Sequence, residues 1–184
     1  MTNEVLKSIL SRRSCKKYKA DPVPAEIIDA VIEAGLYAAN GMAKQSAVIL
    51  AVTDKATRDK LSALNAKYDP LKRKDPFYGA PAVLPVIADK SVPTHVYDGA
   101  LVMGNMMLAA HALGVGSCWI HRAKEVFEDE EGKKILADLG ITGEYEGIGN
   151  LIIGYPEVEP GPAAPRKENR VYWICAGKRD LSGK

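Results

Sequence analysis

The stretch Arg12-Arg13-Ser14-Cys15-Lys16-Lys17-Tyr18 places four cations and a hydroxyl within six consecutive residues. A guanidinium pairs phosphate oxygens two at a time, and an ammonium acts as a mobile point charge. Such a cluster suits a phosphorylated ligand with a second polar region to hold. Two other readings fit the same residues: a solvated basic helix end favoured by the helix dipole, or a localisation or nucleic-acid patch.

Other chemistries find little to work with. Cys15, Cys118 and Cys175 are odd in number and lack C-x-x-C spacing, which reads as free thiols in a reducing, cytoplasmic setting. His95, His111 and His121 are the only histidines and no H-E-x-x-H occurs, so no metal centre is expected. A net charge of +2 over 184 residues argues against broad attraction to nucleic acid. The N-terminus shows no signal-peptide h-region. The longest apolar run, Ala100 to Leu113, is broken by Asn105 and His111 and is too short to span a bilayer. Hydrophobic residues at 47% and charged residues at 26% fit one globular domain with a real core.

The elements that must position the cluster follow from periodicity. Val5, Leu6, Ile9 and Leu10 share a helical face that Thr2 or Asn3 caps, and this first helix delivers the cluster at its C-terminal end. After the Asp21-Pro22-Val23-Pro24 turn, Ile27, Ile28, Val31, Ile32 and Leu36 mark a second helix, reaching about Ala39 before Asn40-Gly41. Val48 to Thr53 reads as a buried strand, and Asp54 caps a third helix carrying Leu61, Leu64 and Tyr68. Asp69 to Pro81 is a polar, cationic loop ending in Phe77-Tyr78-Gly79-Ala80-Pro81. A second strand, Ala82 to Ala88, contains Pro85 and is therefore expected at a sheet edge or with a bulge. A long helix from Thr94 to Gly114 is apolar nearly all round, hence buried in the protomer or between subunits. A strand from Val115 to Ile120, one helix from Lys124 to Leu139, and a strand from Gly149 to Tyr155 follow. Residues 156–184 form a stiff, Pro-rich arm whose Val171-Tyr172-Trp173-Ile174 is too apolar for a free tail. Such an arm clasps a second copy, so a homodimer is expected. No G-x-G-x-x-G follows the first strand and the first two elements are helices, which resists a parallel doubly wound sheet.

The basic cluster, residues 40–45, Phe77 to Pro81, Gly114 to Ile120, Gly154-Tyr155-Pro156 and Arg166-Lys167 occur in an order that resembles the FMN-dependent nitroreductase family, over nearly the whole chain. The resemblance implies an α+β fold with a mixed four- to five-stranded sheet flanked by helices. It also implies a C-terminal arm exchanged between the subunits of a homodimer, and two FMN sites at the interface. Carried over, Arg12 and Arg13 resemble the residues that hold the FMN phosphate and ribityl chain. Ser14 and Lys16 resemble those facing the pyrimidine edge. Ala39, Asn40 and Gly41 match a segment that reaches the flavin of the other subunit, and Gln45 matches the glutamine of an Asn-x-Gln-Pro-Trp stretch. Trp119, Ile120 and His121 match the segment over the central ring, whose backbone amide approaches N5. Arg166 and Lys167 match a basic pair that completes the phosphate site. The chain departs from the pattern at Ala43-Lys44-Gln45-Ser46-Ala47, where the asparagine, proline and tryptophan are missing.

Two-electron reduction of a flavin puts negative charge on its N1–C2=O edge, and a cation there stabilises the reduced form. Lys16 is the candidate; a plain surface lysine is its alternative. The resemblance thus implies an NADH- or NADPH-dependent oxidoreductase that passes electrons to a nitroaromatic or quinone-type small molecule by ping-pong kinetics. No catalytic side chain is assigned. A flavin-binding protein without fast turnover is the rival from another class, and a nucleic-acid module built on residues 12–17 is a third. His121 faces the flavin edge or is a satisfied surface residue, and His111 belongs to a core or interface. Cys118 reads as a small buried hydrophobe. Tyr78 lines the substrate mouth or packs. Arg166 and Lys167 contact phosphate or form a solvated pair.

Overall fold

Asn3 is the residue that caps the first helix, α1 (Glu4–Ser11): its Oδ1 accepts from the Leu6 N–H at 2.9 Å. The computed structural model describes residues 2–174, so the expected free thiol of Cys175 lies outside the described residues. α2 (Ala25–Leu36) ends three residues earlier than its periodicity suggested, because Ala38 turns back onto Gly35 O at 3.0 Å. Next come β1 (Ala47–Ile49), α3 (Lys55–Lys67), β2 (Ala82–Asp89), α4 (His95–Ala112) and β3 (Gly116–Ile120). α5 (Ala123–Glu128), α6 (Glu130–Asp138) and β4 (Tyr145–Gly154) complete the described elements.

The sheet has four strands in the order β1-β2-β4-β3, all three ladders antiparallel. The parallel pairing recorded is an isolated bridge, Ser14 with Ser117. Both faces are covered, which is why the strands read as unbroken apolar runs. Leu84, Val86, Leu151 and Ile153 pack against α2 and α4 through Val31, Met103 and Met106. Val83, Ile87 and Ile152 face α3, α5 and α6 through Leu61, Leu64, Phe127 and Leu136. These two cores make an α+β sandwich with the sheet as its middle layer.

Pro85 does not mark an edge. It lies in β2, between β1 and β4. Its carbonyl accepts from Leu50 N at 2.9 Å, and it has no N–H to return. The ladder accordingly stops after Ile49 and resumes as a bridge between Val52 and Val83. A bulge does occur, between Val86 and Ile87, where β4 contributes the extra Ile148.

The single helix expected over residues 124–139 is two. Asp129 is extended (φ −70°, ψ 146°), ends α5 and caps α6 by accepting from Glu131 N at 2.9 Å. Gly132 makes the resulting corner possible: a Cβ there would stand 1.8 Å from the Val126 carbonyl oxygen. Helix propensity alone favours alanine at this position by about 1 kcal/mol. Gly132→Ala should instead destabilise the protein by about 3 kcal/mol, since backbone cannot yield to the methyl. The urea unfolding midpoint reads the sign, and an unchanged or higher midpoint would refute the packing argument.

α4 carries Met103, Met106 and Ala110 into the core, but Tyr97 and Leu101 are exposed. α1 buries none of its residues even though Val5, Leu6, Ile9 and Leu10 form an apolar stripe. No helix among the described residues is long and apolar enough to cross a membrane.

Candidate functional site

Beyond α1 the chain becomes extended and runs along the free edge of β3. Cys15 N donates to Ser117 O at 2.9 Å, Lys19 N to Tyr155 O at 2.9 Å, and Glu157 N to Lys17 O at 3.0 Å. These bonds fix the basic cluster residue by residue. Alternation then sends Cys15 inward, only 2% exposed, while Ser14 and Lys16 stay at the surface. Tyr18 anchors the end of the run, buried, its hydroxyl donating to Cys15 O at 2.7 Å. Burial pushes the Tyr18 phenol far up.

Arg12, Ser14 and Lys16 all act on Cys118 of β3. Burial pushes the Cys118 thiol up, and a hydrogen bond with Ser14 and the charges of Lys16 and Arg12 act the other way. Arg12 Nη1 is buried and has no hydrogen-bond partner among the described residues. A buried guanidinium N–H left unpaired by protein is an exception that requires a partner. A phosphate or polyol oxygen supplies one, so these residues fit the phosphorylated cofactor implied by the sequence.

Arg13 is disposed differently. Its Nη1 donates to Leu10 O at 2.8 Å and to Arg12 O at 2.7 Å, closing the end of α1, while its Nε is buried without a hydrogen-bond partner among the described residues. It lines a separate cavity of about 220 Å³ with Ser11, His111, Ser117 and Pro156. His111 accepts or donates there to Ser11 Oγ at 2.8 Å, so it tethers α1 to α4.

At the end of β3, Trp119 is half-buried and lies against Gly149, where a Cβ would approach the indole Nε1 to 2.4 Å. Ile120 is buried in the core beneath. His121 is exposed, and its carbonyl accepts from the buried Asn65 Nδ2 at 2.8 Å. Across from this strand, the Tyr78 ring stands beneath the Lys16 ammonium, 5.9 Å from nitrogen to centroid.

The segment around residues 39–45 is organised by Asp98 of α4, which is 2% exposed. Its carboxylate accepts from Gly41 N at 2.9 Å, Ser46 Oγ at 2.7 Å and Thr94 Oγ1 at 3.1 Å. Burial pushes the Asp98 carboxyl up, but these three donors together hold it below the usual carboxylate value. Asn40 Oδ1 accepts from Gln45 N at 3.0 Å, and Met42, Ala43 and Gln45 all take positive φ. Ala39 and Gln45 are exposed. Among the described residues no hydrogen bond joins this segment to residues 12–18 of the same protomer. Arg166 and Lys167 lie on the exposed arm, where the Arg166 guanidinium folds onto its own Ala164 carbonyl, Nε at 3.2 Å.

Arg12, Ser14 and Lys16 thus act on Cys118 of β3 and Lys16 meets Tyr78 within one protomer, with Trp119 to His121 following on the same strand; among the described residues no hydrogen bond joins 39–45 or 166–167 to them. Asp98, Asn65 and the Asp69–Arg73 pair escaped the sequence reading. An aspartate in the first turn of an apolar helix was the available signal for Asp98.

Comparison with known proteins places this geometry. An FMN reductase [NAD(P)H] of Bacillus subtilis is 30% identical over 171 residues, covering 84% of this chain and 66% of that protein. The crystal structure of a nitroreductase with bound FMN from Bacteroides fragilis matches with a TM-score of 0.83 at 28% identity, covering 94% of this chain and all of that one. An FMN-dependent nitroreductase from Clostridium difficile R20291 matches with a TM-score of 0.75 at 27% identity, over 90% and 96% of the two chains. The nitroreductase family model itself matches residues 9–68 and 63–155, and the chain belongs to the nitroreductase family.

Proposed function

We propose that this chain is an NAD(P)H-dependent FMN oxidoreductase that reduces a nitroaromatic or quinone-type small molecule. The observation that carries this reading is Arg12, its Nη1 buried and without a partner among the described residues, close to Cys118 of β3 together with Ser14 and Lys16. FMN held by these residues would supply the redox chemistry, carrying the equivalent of a hydride from nicotinamide to acceptor.

The chain's own residues bind and orient. Arg12 takes the phosphate end. Ser14 offers a hydroxyl and Lys16 an uncancelled positive charge to the pyrimidine edge, where that charge favours the reduced state. Trp119 to His121 supply backbone and a flat surface beneath the ring. Arg13 stiffens the turn out of α1 and acts on the ligand through that turn. No side chain is assigned a proton transfer, because orientation and stacking provide the rate.

A homodimer follows from what one protomer leaves uncovered. An eight-residue helix does not persist in water on its own. The exposed stripe of α1, Tyr97 and Leu101 of α4, and the arm with Val171 and Tyr172 at its end need apolar cover. β1 is an edge strand, open to an added strand from the other subunit's arm. In that assembly residues 39–45 and Arg166-Lys167 reach the FMN of the partner subunit. Buried, unpaired Cys15 and Cys118 suit a reducing cytoplasm.

Purified protein supplied with FMN tests this reading. It should turn yellow, bleach on anaerobic addition of NADH or NADPH, and give parallel lines in double-reciprocal initial-rate plots, since one pocket serves donor and acceptor in turn. Intersecting lines would refute the shared pocket. The altered Ala43–Ala47 segment, strained at Ala43 and Gln45, favours one second reading, a flavin-binding protein without fast turnover. Yellow protein that does not bleach would establish it.

A further inference from the structure

The loop between α3 and β2 holds an aromatic ring in a backbone conformation that side chains avoid. Tyr78 has φ 53° and is followed by Gly79 at φ 72°. A non-glycine residue there costs on the order of 1–2 kcal/mol, and such a conformation persists only where its surroundings over-determine it. Two aspartates do so. Asp75 accepts from Phe77 N at 3.0 Å, Gly79 N at 2.7 Å and Arg58 Nη2 at 2.8 Å. Asp69, 2% exposed, accepts from Arg73 Nε at 2.6 Å and Nη2 at 2.7 Å, a two-pronged pair. The remaining Arg73 Nη1 donates to the Tyr78 phenol oxygen. The ring then has the Arg73 guanidinium 5.5 Å from its centroid and the Lys16 ammonium 5.9 Å from it.

The two cations differ in one respect. Arg73 is neutralised by Asp69. Lys16 has the ring as its recorded contact, whereas its neighbour Lys17 pairs with Glu157 at 3.2 Å. A carboxylate would hold the Lys16 ammonium but cancel its charge. An aromatic face holds it by its quadrupole, worth about 0.5–2 kcal/mol, and leaves the full charge for a ligand.

We infer that Tyr78, locked by Arg73 and Asp69, is the positioning residue for Lys16: it fixes the ammonium at the flavin's pyrimidine edge without neutralising it. This rests on the FMN reading above. The strain at Tyr78 is then the cost of presenting the ring to Lys16, far away in the sequence, rather than to its own loop.

The test is the two-electron midpoint potential of bound FMN, measured by anaerobic titration against a reference dye. Tyr78→Leu removes the ring face and should weaken the preference for reduced over oxidised FMN about tenfold, a fall of about 30 mV. Tyr78→Phe keeps the face but loses the hydroxyl that Arg73 holds, and its potential should fall between those of wild type and Tyr78→Leu. Lys16→Ala should lower the potential further, and adding Tyr78→Leu to it should change nothing more, because Tyr78 acts through Lys16. If the leucine variant does not fold, Tyr78→Met takes its place. An unmoved potential in Tyr78→Leu, or a shift that adds in full to that of Lys16→Ala, overturns the proposal while leaving a yellow, bleachable wild type intact. A wild type that takes up no FMN overturns the functional reading and this inference with it.

Discussion

Arg12→Ala should leave the fold intact and strip the protein of FMN. The apo fold loses little, because Arg12 Nη1 makes no hydrogen bond to the described protein. The holoprotein loses charge-assisted hydrogen bonds to phosphate, each worth about 1.5–3 kcal/mol. A net loss of about 3 kcal/mol raises the FMN Kd about a hundredfold. Arg13→Ala is the informative partner. Its Nη1 is already engaged by the Leu10 and Arg12 carbonyls, although its buried Nε has no partner among the described residues, so its removal should weaken FMN binding less than tenfold while loosening the end of α1. Quenching of FMN fluorescence on titration into apoprotein reads both constants. Normal flavin content in Arg12→Ala would contradict the phosphate assignment, and equal losses in the two variants would contradict their division of labour.

The division between the two arginines also shows where sequence reading stops. Residue types at 12–17 offered an anion site as one of three readings, and the period of the apolar residues announced the helix that leads into the cluster. Which guanidinium faces the ligand depends on the extended path of 14–18 along β3, a contact between residues a hundred positions apart, and no local pattern encodes it. The same limit applies to Pro85. A missing donor predicts an edge or a bulge; β2 is no edge but has a bulge one residue on, and it tolerates the proline by giving up one bond on the β1 side and ending that strand early. The α5–α6 corner was legible in principle, since Asp129 before two glutamates is a capping signal. Gly132, unfavourable inside a helix, is required where it stands by a carbonyl from the preceding helix. Segments with a strong period were therefore readable, and those settled by a single long-range contact were not.

The other large effect is expected at Asp98, which touches no predicted ligand residue except Gly41. One buried carboxylate satisfies the Gly41 N–H and the hydroxyls of Ser46 and Thr94. It thereby joins α4 to a segment whose backbone runs through positive φ at Met42, Ala43 and Gln45. Asp98→Ala leaves a backbone N–H and two hydroxyls without their acceptor, a loss of about 3 kcal/mol. For a chain of this size that corresponds to a fall in Tm of about 6–12 °C. Because the folded state lowers the Asp98 pKa, its contribution is present above the ordinary carboxylate value, near about 4, and is lost as pH falls through the folded-state value. Asp98→Asn keeps the shape but removes the titrating group. It should therefore lower stability at pH 7 and flatten the acid limb of the Tm–pH curve relative to wild type. Thermal unfolding followed between pH 3 and pH 7 distinguishes these cases. An Asp98→Asn curve parallel to wild type down to the acid end would mean that the carboxylate, although buried, does not hold the 39–46 segment by its charge.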